Sequence, residues 1–578
     1  MKQKIVLPNP YHTEGIKQFA TSLNSPLPIA QALFNRGITS FDSAKNFLRP
    51  SLSNLHSPSG LLNLDQAVSC ILQNIKVGQK IAIFGDYDVD GTTATALLYL
   101  GLKSLGAQIY YYVPNRFTEG YGLSVQGIKE ILSCQVSLLI TVDCGISDHS
   151  EIEFAKQAGL EIIILDHHQP PPNLPPADII INPKQPGCNY SFKELSGVGL
   201  AYKLLQGLHL ALGKQEDEST RFIDLVALGT AADIVPLTGE NRLLVKFGME
   251  QLAHTSHIGL QALLHTAGLI KPNRGSESKL ETRDIVFRLG PLINAAGRMD
   301  NAQKVIQLLI AEEIGQAENI AKLLLLENDR RRQLDKKITE EAQRLVENEY
   351  KNDKGLVLSS ALWHQGVLGI VASRMVEKYF RPTVVIAIDS ENKAKGSARS
   401  IHRFHLYDAL SQCQDLLTSF GGHRHAAGIS LPAQNIPMFR QRFQEIARQR
   451  LIEDDLIPEL NIDSELLLQE INPRFFQLIN LFKPFGPENR RPLFKTDGVQ
   501  TAGTIQAVGK NHLKFTVRQN GTHFPAIAFN LGSLASELEK NSQSLGLIYT
   551  IEENHWQDKT MLQLNVKGIA LSQSQYTL

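Results

Sequence analysis

Between Gln79 and Pro183 five short apolar runs, KIAIFG, QIYYYV, VSLLITV, EIIIL and ADIIIN, alternate with amphipathic stretches such as TATALLYLGLKSLG and SEIEFAKQAG. Strands that are apolar along nearly their whole length are buried on both faces, and helical connections between them join parallel neighbours. The stretch therefore predicts a parallel sheet with helices on both sides. In such sheets ligands bind outside the carboxyl ends of the strands, so the residues that follow each run carry the functional information. The segment QPPPNLPPAD, Gln169 to Asp178, reads as loop because proline fits neither ladder.

Those strand ends are acidic. The first run delivers Asp86, Asp88 and Asp90 in GDYDVDG, the third delivers Asp143 in TVDCG, and the fourth delivers Asp166, His167 and His168. Asp233, in ALGTAADIVPL, is a further acid on an otherwise apolar helix. Two unit charges about 4 Å apart cost about 4 kcal/mol at an effective dielectric of about 20, and each perturbs its neighbour's pKa. A divalent cation offsets that cost. Carboxylates with imidazoles suit Mn²⁺ or Mg²⁺, and nitrogen ligands favour Mn²⁺. Four or more carboxylates exceed what one ion needs. The pattern predicts two ions about 3.5–4 Å apart, bridged by an aspartate, an arrangement that serves in-line phosphoryl chemistry. Singly, each feature has a plainer reading: Asp90 as a helix cap before GTTATALL, the histidines as surface residues. Their joint arrival at one sheet edge favours the metal, and from the residues alone the chain reads as a metal-dependent phosphoesterase.

At 578 residues the chain exceeds one core. Residues 1–60 read as helix and loop without visible chemistry, 61–300 as the α/β catalytic region, and 301–350 as a connecting helix. Ala317 to Tyr350 has neither glycine nor proline and is heavily charged. A second α/β unit over 351–452 is framed by GLVLSS and PTVVIAID around a helix at GVLGIVASRMVEKY. After the acidic segment IEDDLIPELNIDSE, residues 453–578 read as a small barrel with strands HLKFTV, FPAIAF, LGLIYTI and MLQLNVKGIA and a hairpin turn at QNGT. The fold class is α/β multidomain with a C-terminal OB-fold-like β-barrel.

Substrate contacts are sought among cations and backbone donors. Arg116, in PNRFTEGYGL, is a candidate phosphate fork, with an ion pair to Glu119 as the alternative. Arg298 follows two small residues and a glycine in GPLINAAGRMD, which allows close approach of a backbone. GSARS offers Ser397, Arg399 and Ser400 beside a flexible Gly396, and GGHRHAAG offers His423, Arg424 and His425, with a tight turn as the plainer reading. His364 either contacts substrate or packs beside Trp363. Between Leu481 and Asn530 seven basic residues (Lys483, Arg490, Arg491, Lys495, Lys510, Lys514, Arg518) face two acids, interleaved with Phe485, Phe494, Phe515, Phe524 and Phe529. Phe515 and Phe529 are expected in the barrel core. A positive groove with exposed rings suits single strands.

The ordered motifs GDYDVDG, TVDCG, DHH and ALGTAADIVPL resemble those of the DHH phosphoesterase superfamily. WHQGVLGIVASR, GSARS and GGHRHAAG resemble its accessory domain, DHHA1. With the strand-rich terminal domain, the set is similar to that of the superfamily's single-strand-specific exonucleases, from about Lys80 to the C-terminus. The resemblance implies Asp86, Asp88, Asp90, Asp143, His167 and Asp233 as ligands of Mn²⁺ or Mg²⁺. It places His168 on the scissile phosphate, with Asp143 and Asp88 sharing the catalytic work. Asp166 either orients His167 through its second ring nitrogen or merely ends the strand. The resemblance also implies a cleft between the DHH and DHHA1 domains in which Ser397, Arg399 and His423 hold substrate phosphate, with Arg116 and Arg298 along the DNA. The implied activity is 5′→3′ exonucleolytic hydrolysis of single-stranded DNA to 5′-mononucleotides in repair and recombination. Single-strand-binding protein and a helicase would be natural associates. The alternative is a phosphodiesterase for short oligonucleotides or cyclic dinucleotides, enzymes that generally lack a terminal barrel. One departure stands out: in PFGPENRRPLF the residues after PFG do not follow the expected Gly-Asn-Pro pattern.

Composition narrows the classes. Formal net charge is zero, so any DNA surface is a local patch. Five scattered cysteines without a C-x-x-C pair argue against a disulfide framework and a zinc ribbon. The start, MKQKIVLPNPYH, lacks the apolar core of a signal peptide, and no apolar run approaches the ~18 residues of a membrane span. A cytoplasmic, monomeric protein is expected.

Overall fold

The computed structural model describes residues 4–8, 13–214, 216–270, 280–540, 544–556, 559–571 and 576–577. The chain divides into two compact units. One comprises Asn46–Arg331 with Lys483–Arg490, the other Met1–Lys45, Arg332–Phe482 and Arg491–Leu578.

The first unit is built on five parallel strands: β1 (Lys80–Gly85), β2 (Gln108–Tyr112), β3 (Leu138–Val142), β4 (Glu161–Leu165) and β5 (Ile179–Ile181), in the order β2-β1-β3-β4-β5. The continuous apolar runs have the expected cause. Ile81, Ile83, Leu138, Ile140, Ile163 and Leu165 enter one core, while the alternating Ala82, Phe84, Leu139, Ile162 and Ile164 enter another on the opposite face. Strand order reverses between β1 and β3, which makes their carboxyl ends the switch point where such sheets bind ligands.

Helices α1 (Val89–Ser104), α2 (Gly197–Ala211), α3 (Ile223–Ala232) and α4 (Gly290–Met299) bear on that point. They approach closely because glycine stands where they meet. A Cβ on Gly101 would lie 2.8 Å from Leu205 Cδ1, and one on Gly229 would collide with Thr93. Lys203 of α2 and Glu240 form a buried ion pair at 2.7 Å. The pair is completed by Lys203 donating to the His56 carbonyl at 2.7 Å and by Tyr190 and the His56 amide donating to Glu240 at 2.6 and 2.9 Å.

A long helix, α5 (Ile314–Glu349), starts earlier than Ala317. Its two halves bury separate stripes: Ala317, Ala321 and Leu324 in the core of the first unit, and Ile338, Ala342 and Val346 in that of the second.

The second unit holds a mixed sheet of β6 (Leu356–Ser360), β7 (Thr383–Ile388), β8 (Lys393–Arg399), β9 (Ser419–Gly422) and β10 (Ala426–Pro432), in the order β9-β10-β8-β7-β6. Its helix α6 (Leu368–Tyr379) lies against it. A closed barrel follows, with β11 (Phe494–Val508), β12 (His512–Gln519), β13 (Thr522–Ala528), β14 (Leu545–Trp556) and β15 (Lys559–Ala570). Pairing runs β11-β12-β13-β15-β14 and returns to β11. The QNGT turn is as expected, with Asn520 and Gly521 both at positive φ, 50° and 81°. The sequence does not announce β11. Gly498 and Gly503, at φ 70° and 78°, sit in or beside register shifts that interrupt its alternation.

In the N-terminal segment Lys4–Val6 forms a strand parallel to Glu459–Asn461, and helices cover Thr13–Leu23, Leu27–Phe34 and Phe41–Leu48. Residues 1–3 and 9–12 of the leader read for a signal lie outside the described residues. No helix among the described residues is long and apolar enough to cross a membrane.

Removing one member of the buried pair strands the other charge. Glu240→Ala is expected to destabilise the first unit by about 3–5 kcal/mol, measured as a fall in its thermal or urea transition relative to wild type. A loss below about 1 kcal/mol would show that Lys203 reaches solvent or loses its proton at little cost.

Candidate metal centre

Each acid reaches the switch point by a specific local device. Asp86 follows β1 directly and is buried. Asp88 caps α1, accepting from the Gly91 amide at 3.1 Å. The cap that the plainer reading would give Asp90 thus belongs to Asp88. Asp90, in the first turn, is fully buried and accepts the Gly197 and Val198 amides at 2.6 and 2.9 Å. The amino terminus of α2 therefore holds this carboxylate. Asp143 follows β3 in a left-handed conformation, φ 60°, a strain that functional sites store. Two glycines make the crowding possible. A Cβ on Gly91 would lie 2.5 Å from the Asp86 carbonyl, and one on Gly197 would lie 2.8 Å from Asp143 Cβ. Asp233 is the C-terminal cap of α3, one residue beyond the helix in which the sequence places it.

His167 Nε2 lies 3.1 Å from Asp143 Oδ1, 3.7 Å from Asp233 Oδ2 and 3.8 Å from Asp90 Oδ2. Asp90, His167 and Asp233 form one set of donor atoms mutually within 4.8 Å, and Asp86, Asp88 and Asp143 a second. A third joins Asp143 to His167 and His168. Asp143 thus stands in two sets and beside the other. Asp86 Oδ1, Asp143 Oδ1, Asp233 Oδ2 and His167 Nε2 are buried without a hydrogen-bond partner. Native proteins rarely leave such atoms unsatisfied. A carboxylate-rich set with one neutral imidazole matches the donor chemistry of Mn²⁺ or Mg²⁺, so the residues present fit the ions that the sequence implies.

Electrostatics agree. Burial, then the neighbouring carboxylates, push Asp86, Asp90 and Asp143 well above the usual range. Burial and Asp88 raise Asp233 to about 7. Burial and the adjacent His168 cation push His167 down to about 3, leaving the neutral imidazole that ligates metals. His168 goes the other way: burial opposes its cation, but the hydrogen bond and charge of Asp166 outweigh burial and raise it to about 9.

Asp166 corrects both sequence readings. Its Oδ1 lies 2.7 Å from His168 Nδ1 and accepts the His168 amide at 3.0 Å, while Oδ2 accepts the Ile146 amide at 3.0 Å. It orients His168, not His167, and it does more than end a strand. Sequence reasoning also missed Tyr121. Its hydroxyl donates to the Asp143 carbonyl at 3.2 Å and lies 3.3 Å from His168 Nδ1. The flanking Gly120 and Gly122, at φ 93° and 83°, were the available signal of a special turn.

Arg116 stacks over the Tyr87 ring at 5.3 Å, and its charge acts on Asp86. Its alternative partner Glu119 is committed instead to the Asn115 amide and the Tyr112 and Ser124 hydroxyls. Arg298 also acts on Tyr87. The close approach that Gly297 permits is to the protein's own Tyr87 carbonyl, 2.9 Å from where a Cβ would stand. Both arginines therefore flank the loop between Asp86 and Asp88.

In the second unit Arg399 Nη1 lies 3.1 Å from Ser397 Oγ, and both side chains crowd Gly369 in the first turn of α6. Gly396 is not flexible; it lies within β8, where a Cβ would press on Ile429 and Ile386 at 2.8 and 3.0 Å. GGHRHAAG is a hairpin with His423, Arg424 and His425 exposed at its turn, and register sets Ala426 opposite Arg399. His364 caps a short 3₁₀ turn through its ring nitrogen, 3.1 Å from the Gly366 amide.

The basic count in the terminal region overstates the cationic surface. Lys483 pairs with Glu281 at 2.8 Å, Arg491 lies 4.0 Å from Glu552, and Lys495 pairs with Glu465 and Asp497 at 3.2 and 2.5 Å. Lys510, Lys514 and Arg518 are exposed. Phe494 and Phe515 fill the barrel, but Phe529 is 47% exposed and sits edge-on to His512 at 5.1 Å. It lies just past the end of β13 and on the outward parity, since Ala526 and Ala528 take the buried positions.

Family models match three stretches: the DHH family N-terminal domain at residues 80–230, the DHHA1 domain at 352–449 and the RecJ OB domain at 462–568. The chain is 37% identical over 565 residues to the single-stranded-DNA-specific exonuclease RecJ of Bacillus subtilis, covering 97% of this chain and 70% of that one. It is 36% identical over 564 residues to the protein of the same description from Escherichia coli, covering 94% and 96%. Among solved structures, RecJ of Thermus thermophilus in complex with Mn²⁺ superposes with a TM-score of 0.83 at 28% identity, covering 98% of this chain and 79% of that one. The extent of these matches, over the DHH, DHHA1 and OB regions together, establishes that the chain belongs to the RecJ family.

Proposed function

We propose that the chain is a divalent-metal-dependent exonuclease that hydrolyses single-stranded DNA from the 5′ end and releases 5′-mononucleotides. The observation that carries this reading is the shared position of Asp143, whose orphaned buried oxygen faces donor sets on two sides. The single-stranded-DNA-specific exonuclease activity of its RecJ relatives supports the substrate class, and the solved RecJ structures in complex with Mn²⁺ and with Mg²⁺ support the ions. Asp90, His167 and Asp233 would hold one ion, Asp86 and Asp88 the other, with Asp143 between them. When bound, such a pair supplies Lewis acidity to a phosphodiester and to its attacking water.

The chain's own residues do the rest. Water adds to the phosphorus in line with the 3′-oxygen of the terminal nucleotide, which leaves. His168, held protonated by Asp166, donates a hydrogen bond to a non-bridging oxygen as charge builds there. Tyr121 fixes the ring of His168 against the Asp143 carbonyl. Arg116 and Arg298 neutralise backbone phosphates entering beside Tyr87. Ser397, Arg399 and His423 bind the 5′-phosphate, which sets the register of cleavage. The barrel grips the strand through Lys510, Lys514, Arg518 and the exposed Phe529 ring. Within this reading the chain divides near residues 60, 300, 350 and 452, works as a monomer in the cytoplasm, and meets single-strand-binding protein and a helicase in repair and recombination.

Incubation of end-labelled single strand with Mn²⁺ tests the activity. Asp143→Ala is expected to lower cleavage by about a thousand-fold or more, because both ions lose a ligand, while single-strand affinity in a gel-shift titration stays within about two-fold of wild type. Retained metal-dependent cleavage would remove Asp143 from the centre.

The raised carboxylates also fix a pH dependence. A group such as Asp233, raised from 3.8 to about 7, lets the folded metal-free protein hold a proton that the unfolded chain releases. Its contribution to stability is complete below the unfolded value and is lost as pH rises through the folded one. Metal binding must displace that proton. Calorimetric Mn²⁺ affinity is therefore expected to climb between pH 5 and about 7, with proton release that shrinks to nothing above. An affinity flat across that window would show that Asp233 does not ligate.

A further inference from the structure

The segment Lys483–Arg490 holds the one motif that departs from its expected pattern, and it packs in the first unit beside the turn that follows Asp233. We propose that this strap is a positioning element for Asp233: its Pro487 carbonyl holds the Leu237 amide and so closes the turn that aims the Asp233 carboxylate at His167. The proposal rests on the reading of Asp233 as a metal ligand.

The turn needs holding. The Asp233 amide donates to the Gly229 carbonyl at 2.9 Å and ends α3. Ile234 then adopts φ 66°, a conformation that disfavours β-branched residues, with its side chain 64% exposed, so that burial gives little in return. Such backbone persists where the flanks over-determine it. One flank is α3. The other is Leu237, buried, whose amide donates to the Pro487 carbonyl at 2.9 Å. Asn241 adds a bond to the Pro236 carbonyl at 3.1 Å.

The strap is rigid enough for the task. Gly486 and Asn489 exchange backbone hydrogen bonds at 3.0 and 3.1 Å, and the buried Asn489 side chain donates to the Pro484 carbonyl at 2.8 Å. Arg242 donates to the Lys483 carbonyl at 2.9 Å, and Lys483 reaches Glu281 at 2.8 Å. Glycine at position 486 lets the strap seat against Leu237, since a Cβ there would stand 2.5 Å from Leu237 Cδ1 and force that side chain to move. The pattern that matters is thus a glycine against Leu237, a carbonyl at 487 and an asparagine closing the turn, and the sequence PFGPEN supplies all three.

Mn²⁺ titration of the full-length protein, with free ion read by electron paramagnetic resonance, tests this. Asn489→Ala is expected to weaken binding about ten-fold, and to add nothing in an Asp233→Ala background, because both changes act through one ligand. No loss, or the same further loss in that background, overturns the proposal. Hydrogen exchange on the wild-type protein needs no variant to fold. Coupling is reciprocal, so Mn²⁺ is expected to slow exchange over residues 234–238 and 483–490 together. Protection confined to 234–238 overturns the proposal. A wild-type protein that binds no Mn²⁺ is a separate result; it removes the metal centre and the strap's role with it.

Discussion

The fold turns on a cost that it cannot avoid. It buries Asp86, Asp90 and Asp143 at the switch point of a parallel sheet, with Asp88 and Asp233 beside them. Each pair at contact distance opposes folding by a few kcal/mol. The chain answers part of this itself. The amino terminus of α2 spends two amides on Asp90, and α1 spends one on Asp88. The remaining carboxylate oxygens face one another, and protons or a cation must satisfy them. The glycines follow from the same crowding. Charges share an ion only if their backbones approach, and Gly91 and Gly197 remove the Cβ atoms that would keep the β1–α1 loop and α2 from Asp86 and Asp143.

Adjacent histidines at the end of β4 are divided by environment into opposite roles. His167 faces inward, is desolvated and stays neutral, the state that metal ligation requires. His168 is one-third exposed and holds a proton because Asp166 sits 2.7 Å from its ring. The cation of His168 in turn pushes His167 further toward neutrality, so each ring helps to set the other's state. A substitution at Asp166 therefore reaches both: it releases His168's proton, and it takes from His167 both the push of the His168 cation and the opposing pull of Asp166's own charge.

What the sequence made legible was what periodicity and strand ends encode. Alternate residues feeding two cores make strands apolar throughout, and the acids after those strands arrive at one edge by topology alone. Side-chain pairing was not legible, because it depends on chain direction after the strand. Asp166 turns to the residue two positions on, not one. Nor was charge neutralisation: counting cations in residues 481–530 cannot reveal that Glu281, Glu465 and Glu552, far away or just outside the window, occupy three of them. Phe529 misled for a local reason, since Ala526 and Ala528 take the inward positions of β13 and leave the next residue outward. Gly396 misled because a glycine in a strand can serve close packing of side chains as well as flexibility.

The centre is also not contained in one stretch of chain. The DHH family match ends at residue 230, three positions before Asp233, and the segment that closes the Asp233 turn comes from within the OB match at 462–568. Residues 483–490 belong by packing to the first unit and by sequence to the barrel region. The chain thus runs from the strap into Phe494, the first residue of β11, within a few positions. The hydrogen bond that the Pro487 carbonyl accepts from the Leu237 amide therefore forms only after synthesis has passed residue 487. Packing of the turn after Asp233 and entry of the chain into the barrel are in this way tied to the same eight residues.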